Sequence, residues 1–162
     1  MTSTTATTVL LDVTVDVPVG TAFRLFTEHF DQVKPREYNL LDVPIVETVL
    51  EPRVGGHIYD RAADGTTCRW ARVLAFEPPL RLVFTWVISP RWQLETDPER
   101  CSEVEVRFLA EGDTRTRVEL EHRHLDRHGE GWEGYAAGMA SPGAWPLFLS
   151  RFEALTKDGS GR

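Results

Sequence analysis

The chain has 162 residues, 41% of them hydrophobic, and carries 18 Lys+Arg against 25 Asp+Glu for a net charge of −7. A chain of this length buries roughly 70% of its unfolded surface in one domain and needs neither disulfide nor metal to hold it. Its acidity argues against sequence-independent binding of nucleic acid, which rests on Lys and Arg neutralising phosphates. The two cysteines, Cys68 and Cys101, are too few for a disulfide framework and lack zinc-site spacing, so they read as reduced thiols of a cytoplasmic protein. The first residues have no basic segment ahead of an apolar run, and the longest apolar stretch, Leu82 to Ile88, is too short to span a bilayer. Neither secretion nor a membrane span is expected.

Taken in chain order, residues 1–7 read as a tail and Thr8 to Val17 as the first strand, ending at Pro18. Phe23, Phe26 and Phe30 then recur at helical spacing, which predicts a short helix, a second turn or helix, and a loop around Pro35. Strand-like segments follow at Ile45–Glu51, His57–Arg61, Thr66–Glu77, Arg81–Ile88, Ser102–Glu111 and Arg115–Leu125. Turn signals separate them (Gly55-Gly56, Asp64-Gly65, Pro78-Pro79, Gly112-Asp113), and such short connections join antiparallel neighbours. Near the end, Ser141 and Pro142 offer a helix start, and Trp145, Phe148, Leu149, Phe152 and Leu155 form one apolar stripe on a helix of about four turns. Residues 8–157 are thus expected to form one domain, with 158–162 as a polar tail.

The last two strands predict their own register. In each, apolar residues (Val104, Val106, Phe108; Val118, Leu120) alternate with charged ones, giving one wet and one dry face. Pairing Phe108 with Val118 brings the dry faces together across a three-residue loop. It also sets Arg107 opposite Glu119 and Glu103 opposite Arg123, while Glu105 meets Glu121, a like-charge pair for diagonal arginines to relieve.

The order strand, helix pair, antiparallel run and C-terminal amphipathic helix is the helix-grip order. The segment VDVPVGTAFRLFTEHF resembles the entry of START-like (SRPBCC, Bet-v-like) domains. GGHIYDRAADGTTCRWARVLAFEPPLRLVFTW is similar to that superfamily's Gly-Gly hairpin and the Pro-Pro-x-Arg-Leu turn that follows it. GEGWEGYAAGM followed by GAWPLFLSRFEAL resembles the closing segment of the branch named after the activator of the heat-shock chaperone ATPase. The resemblance spans about Thr8 to Leu155. It implies an α+β fold: a curved antiparallel sheet of about six to seven strands gripping a long C-terminal helix, two short helices after the first strand, and a cavity between sheet and helix. Members of this superfamily bind lipids, polyketides and other hydrophobic molecules, and some act as cyclases, co-chaperones or self-resistance proteins. No catalytic motif is shared across the branch, so the resemblance assigns no catalytic residue.

Polar residues on the dry faces are the candidates for chemistry. Pairing Phe76 with Leu82 sets Leu74 opposite Phe84 and Arg72 opposite Trp86; Arg72 is then either a structural cation reaching the sheet edge or a charge that orients an acidic or phenolic ligand. His122 and His124, two apart on a strand, share a face. As metal ligands they need a third from His57, Glu47 or Asp60, and a place at the cavity rim is the preferred reading. A two-residue turn at Asp64-Gly65 brings Tyr59 opposite Trp70 and His57 opposite Arg72 inside the grip, whereas a longer loop turns His57 and Tyr59 to solvent. Phe84, Trp86, Phe108, Trp145, Phe148 and Phe152 read as core or cavity wall. Trp132, Tyr135 and Met139 lie at helical spacing in a glycine-rich stretch whose weak helix suits a gate. Trp92, in a polar loop, reads as a cap over the cavity mouth or as a contact for a protein partner.

The function expected from these residues is binding of a hydrophobic or amphipathic small molecule (a lipid, a polyketide or an aromatic metabolite) with no cofactor, no metal and no nucleic acid. Arg72, His122, His124 and Tyr59 would set its orientation. The alternatives are a polyketide cyclase or aromatase using the same residues to polarise a carbonyl, a self-resistance protein that sequesters a toxic metabolite, and a module that binds a protein partner or its own copy.

Overall fold

The computed structural model describes residues 3–5, 7–35, 40–41 and 43–157; the expected C-terminal tail, 158–162, lies outside them. An eight-stranded antiparallel sheet has the order β1-β2-β8-β7-β6-β5-β4-β3. Its strands are β1 (Ser3–Thr5), β2 (Thr8–Val15), β3 (Ile45–Leu50), β4 (His57–Ala62), β5 (Thr67–Glu77), β6 (Arg81–Trp86), β7 (Ser102–Ala110) and β8 (Thr116–Arg123). Helices α1 (Val19–Glu28) and α2 (Phe30–Val33) follow β2, and α3 (Trp132–Met139) and α4 (Trp145–Lys157) close the chain. The expected count of six to seven strands is exceeded by β1, which pairs with Thr8–Leu10 and falls where the sequence reads as tail.

Helix α1 starts behind Pro18 and buries Ala22, Phe23, Leu25 and Phe26, the stripe that its periodicity predicts. Helix α4 buries Trp145, Phe148, Leu149, Phe152 and Leu155. It begins at Trp145, three residues after Pro142, because Ser141 to Ala144 form a turn in which the Ala144 amide donates to the Ser141 carbonyl. The Phe26 ring joins the helices to the sheet, 5.3 Å from Phe152 and 5.7 Å from Phe108, both at steep edge-on angles. Each such fully buried side chain contributes about 1.5–3 kcal/mol of burial free energy.

Strands β7 and β8 pair as their alternation predicts, Phe108 with Val118, Arg107 with Glu119 and Glu103 with Arg123. The opposed Glu105 and Glu121 are bridged by arginines: Arg81 Nε lies 2.7 Å from Glu105, Arg107 Nη1 lies 3.0 Å from Glu121, and Arg123 also pairs with Glu105. Burial works against the Glu105 carboxylate, but hydrogen bonds from Arg123 and Arg81 outweigh it and hold its pKa below the ordinary value.

Strand β5 departs from simple alternation. Its pairing with β6 sets Phe76 opposite Leu82, as expected, but skips Leu74, so Val73 and not Leu74 faces Phe84. A second irregularity skips Trp70 in the pairing with β4. Each bulge moves the following residues to the opposite face. In the window between them, Val73 and Ala71 turn inward and Leu74 and Arg72 outward.

Candidate functional site

Between the sheet, α3 and α4 lies a cavity of about 730 Å³, within the range of small-molecule sites. Trp70 of β5, Trp86 of β6, and Trp145 and Phe148 of α4 form an aromatic wall. The indoles of Trp70 and Trp145 each sit 5.3 Å from that of Trp86. Helix α3 lines another side through Gly134, Tyr135, Gly138 and Met139. A Cβ added at Gly134 or Gly138 would meet no atom within 4 Å, so this two-turn helix is bare at those two positions. The Tyr135 hydroxyl ties α3 to the strand end: it donates to the Ile88 carbonyl and accepts from Trp86 Nε1, each at 2.7 Å. Burial pushes this phenol above its ordinary pKa, so it stays protonated. At the edge of the cavity Trp92, 56% exposed and with φ 59°, stands edge-on to Tyr135.

Among the described residues the charged groups on the wall are Lys34 and Asp60, with Nζ and Oδ2 3.3 Å apart and side chains 4% and 2% exposed. Asp60 Oδ1 also accepts from Thr48 Oγ1 at 2.7 Å and from Trp70 Nε1 at 3.3 Å. Burial lowers the Lys34 pKa, and the neighbouring carboxylate opposes that shift. The sequence reading considered Asp60 only as a third metal ligand and did not single out Lys34. The signal was present in part, since Asp60 lies two residues from both Ile58 and Ala62 and shares their buried face. What brings Lys34, the residue that ends α2, to Asp60 of β4 is a tertiary contact.

Behind the wall, His122 is fully buried at the floor of the sheet. Its Nδ1 accepts from Trp145 Nε1 at 3.0 Å, and its Nε2 lies 2.6 Å from Ser102 Oγ, which is 2.7 Å from His128 Nε2. Desolvation, with a smaller contribution from neighbouring His128, pushes the His122 pKa down to about 3; desolvation takes His128 to about 4. Both are neutral imidazoles. Ser102 was legible as a dry-face residue from its spacing to Val104 and Val106, while His128 lies beyond the strand.

Several expected site residues lie elsewhere. Arg72 is exposed, because the two bulges of β5 turn it outward; its amide donates to Thr85 Oγ1, and it has no cation–π contact with Trp86 among the described residues. Tyr59 and His57 sit on the outer face, alternating with buried Ile58 and Asp60. Their hairpin has the longer loop, with the Ala62 amide bonded to the Thr66 carbonyl across Ala63 to Gly65. His57 does pair with Arg72, but outside, and Tyr59 pairs with Arg69. His124 does not share the His122 face, because β8 ends at Arg123 and His124 turns left-handed at φ 61°. Among the described residues no group of His, Cys, Asp and Glu is placed to hold a metal. Phe84, Phe108 and Phe152 are fully buried core behind the cavity, and Trp132 packs on the core from α3 without lining it.

A curved antiparallel sheet closed by a C-terminal helix over an aromatic cavity defines an SRPBCC-type helix-grip domain. The chain belongs to the family of activator of Hsp90 ATPase homolog 1-like proteins, which it matches over residues 16–157. Among solved structures it is similar to the anthrahydroquino-gamma-pyrone synthase Txn09, determined in complex with a ligand, with 36% identity over 93% of this chain and 97% of that one and a TM-score of 0.64. It is also similar to CalC of Micromonospora echinospora, a self-sacrificing resistance protein, with 27% identity over 96% and 98% of the two chains and a TM-score of 0.65. Protein NE0264 of Nitrosomonas europaea shares the fold at 18% identity, over 94% and 95% of the chains, with a TM-score of 0.66. No protein of curated function matches the chain. Among the described residues no helix is long and apolar enough to cross a membrane.

Proposed function

We propose that the protein binds an aromatic polyketide-type molecule in the cavity between its sheet and α4. The observation that carries this reading is the wall of Trp70, Trp86, Trp145 and Phe148 around about 730 Å³. Flat aromatic surfaces stack on a planar ligand with little loss of side-chain freedom, and a space of this size encloses a fused-ring molecule. The buried free thiols of Cys68 and Cys101 accord with a cytoplasmic setting. Native mass spectrometry of freshly purified protein tests the reading directly. A retained aromatic compound of a few hundred daltons is expected; a retained acyl lipid would assign the cavity to the other ligand class, and consistent failure to bind tricyclic or tetracyclic quinones in titrations would reject the proposal.

A second reading, ring closure on the bound molecule, is favoured by the 36% identity to the pyrone synthase along nearly the whole of both chains. Dry walls that hold a flexible chain folded bring its reacting ends together and exclude water, which suffices for a ring closure with a low intrinsic barrier. Turnover separates the two: a cyclase converts its ligand, whereas a carrier or a sequestering protein returns it unchanged. The protein-interaction alternative draws on Trp92, but that ring stands on the cavity and against Tyr135, which supports a cap.

A further inference from the structure

The chain makes the same tight hairpin loop twice, and the two copies differ at a telling position. Between β4 and β5 the Gly65 amide donates to the Ala62 carbonyl at 3.0 Å and the Ala62 amide to the Thr66 carbonyl at 2.8 Å, with Gly65 at φ 90°. Between Ile88 and Leu94, which pair as an isolated bridge, the Trp92 amide donates to the Ser89 carbonyl and the Ser89 amide to the Gln93 carbonyl, both at 2.8 Å, with Trp92 at φ 59°. Each is a three-residue loop whose last residue turns left-handed, a place that favours glycine. We infer that Trp92 holds this place for the ligand: its indole is a specificity-determining contact at the cavity mouth that selects extended fused-ring molecules over shorter ones. This rests on the aromatic-ligand reading above.

The rest of the second loop suits its conformation. Pro90 sits where such a turn favours proline, and Ser89 Oγ accepts from the Arg91 and Gln93 amides at 3.3 Å each. Trp92 is the exception, because a left-handed L-residue crowds its Cβ against the following carbonyl, a cost that glycine escapes. Among the described residues His124 is the other non-glycine with positive φ, and histidine enters that region far more readily than a bulky indole. Burial does not repay the strain, since the ring is 56% exposed. Strain of this kind persists at ligand clamps, where the placement of a side chain outweighs the backbone cost. Trp92 lines the cavity, and Tyr135 links it to the inner wall, with its hydroxyl 2.7 Å from Trp86 Nε1 and its ring 5.9 Å from that of Trp92. A ligand that stacks on Trp86 and also reaches Trp92 must run the length of the Tyr135 side chain. Shorter ligands are held by the inner indoles alone. The hydrogen bonds of the loop fix the Trp92 backbone in advance, so little freedom is lost when a ligand arrives.

The probes are 9,10-anthraquinone and 2,3-dimethyl-1,4-naphthoquinone, in which two methyls replace the third ring. Quenching of Trp70, Trp86 and Trp145, which line the cavity, reports binding in every variant. Trp92→Ala should weaken anthraquinone at least fivefold and the naphthoquinone less than twofold. Trp92→Phe, which keeps a ring at the mouth, should restore most of the anthraquinone affinity. Trp92→Gly loses the same contact but relieves the backbone. It should bind as Trp92→Ala does and, without ligand, melt about 2–4 °C above it. Unchanged anthraquinone affinity in Trp92→Ala overturns the contact, and equal losses for the two quinones overturn the selection; both leave the cavity reading standing. Trp92→Gly melting no higher than Trp92→Ala would show an unstrained turn and also overturns the inference. Failure of both quinones to bind the wild-type protein rejects the aromatic-ligand reading itself, and the role of Trp92 with it.

Discussion

The Trp145 indole N–H donates to Nδ1 of His122 across 3.0 Å, and that single bond orients a buried chain of polar groups. An indole N–H can only donate, so Nδ1 of the neutral His122 is the acceptor and Nε2 carries the proton. That proton points at Ser102 Oγ, 2.6 Å away; the hydroxyl proton of Ser102 then points at His128 Nε2 at 2.7 Å. His128 is left with its proton on Nδ1, which is buried without a hydrogen-bond partner. The protonation states are assigned by the network rather than seen, and they make Trp145, a wall of the cavity, the head of a one-way relay of hydrogen bonds that holds it in place.

Breaking the relay in the middle should be expensive. Ser102→Ala strands a nitrogen on each imidazole, and each unsatisfied buried group costs about 1–3 kcal/mol. His122→Ala adds the loss of a buried ring and should cost about 3–5 kcal/mol, by analogy with large-to-small core changes. Urea denaturation at pH 7.5 reads both. A Ser102→Ala protein within about 0.5 kcal/mol of wild type, the spread of neutral surface substitutions, would show that the relay contributes nothing.

Stability should fall on mild acidification. In the unfolded chain both histidines take up protons near 6.5, whereas folded His122 and His128 stay neutral down to about 3 and about 4. Between these limits the unfolded state binds more protons, so stability is intact above about pH 6.5 and declines as pH drops toward the folded values. Near pH 5 the difference approaches two protons, a slope of about 2–3 kcal/mol per pH unit. Urea midpoints taken from pH 7.5 to 5 check this. His128→Gln should flatten the profile by about half, and a midpoint independent of pH over that range contradicts the buried neutral pair.

Helix α3 should accept side chains where it is bare. Gly134 and Gly138 sit within the helix, and an added Cβ meets nothing within 4 Å at either. Replacing each by Ala should stabilise the fold by about 0.5–1 kcal/mol through lost backbone freedom in the unfolded chain. If α3 gates the cavity, the same changes should slow ligand entry, seen as a lower association rate in stopped-flow quenching. Faster amide exchange in α3 of the double alanine variant is the outcome that contradicts this.

Two surface residues should behave in opposite ways. Trp92→Ala removes a ring that is 56% exposed yet lines the cavity; melting should hardly shift, within about 0.5 kcal/mol, while affinity for an aromatic ligand drops severalfold. Arg72→Met changes an outward residue and should leave both stability and affinity near wild type. Quinone titration of the two variants side by side decides the matter, and a large affinity loss in Arg72→Met would return that cation to the site.

What the sequence determined by itself was the order of the elements, the β7–β8 register and the buried stripe of α4. Each follows from local periodicity or from a short turn between neighbours, and charge pairs such as Arg107–Glu119 reinforce the same register. From the same periodicity Trp86, Trp145 and Phe148 read as core or cavity wall, whereas Trp70 enters the sequence reading only through a Tyr59–Trp70 pairing that the fold does not make, and Tyr135 only as part of a gate. Tertiary structure alone decided the polar chemistry. Two bulges in β5 turned Arg72 outward, and a three-residue hairpin loop put His57 and Tyr59 outside; with a side-chain period of two, one extra residue reverses a face. Lys34 met Asp60, and Ser102 met His122 and His128, across separations that no local pattern encodes. Among the described residues the charges on the cavity wall are Lys34 and Asp60, which packing and not local pattern drew together.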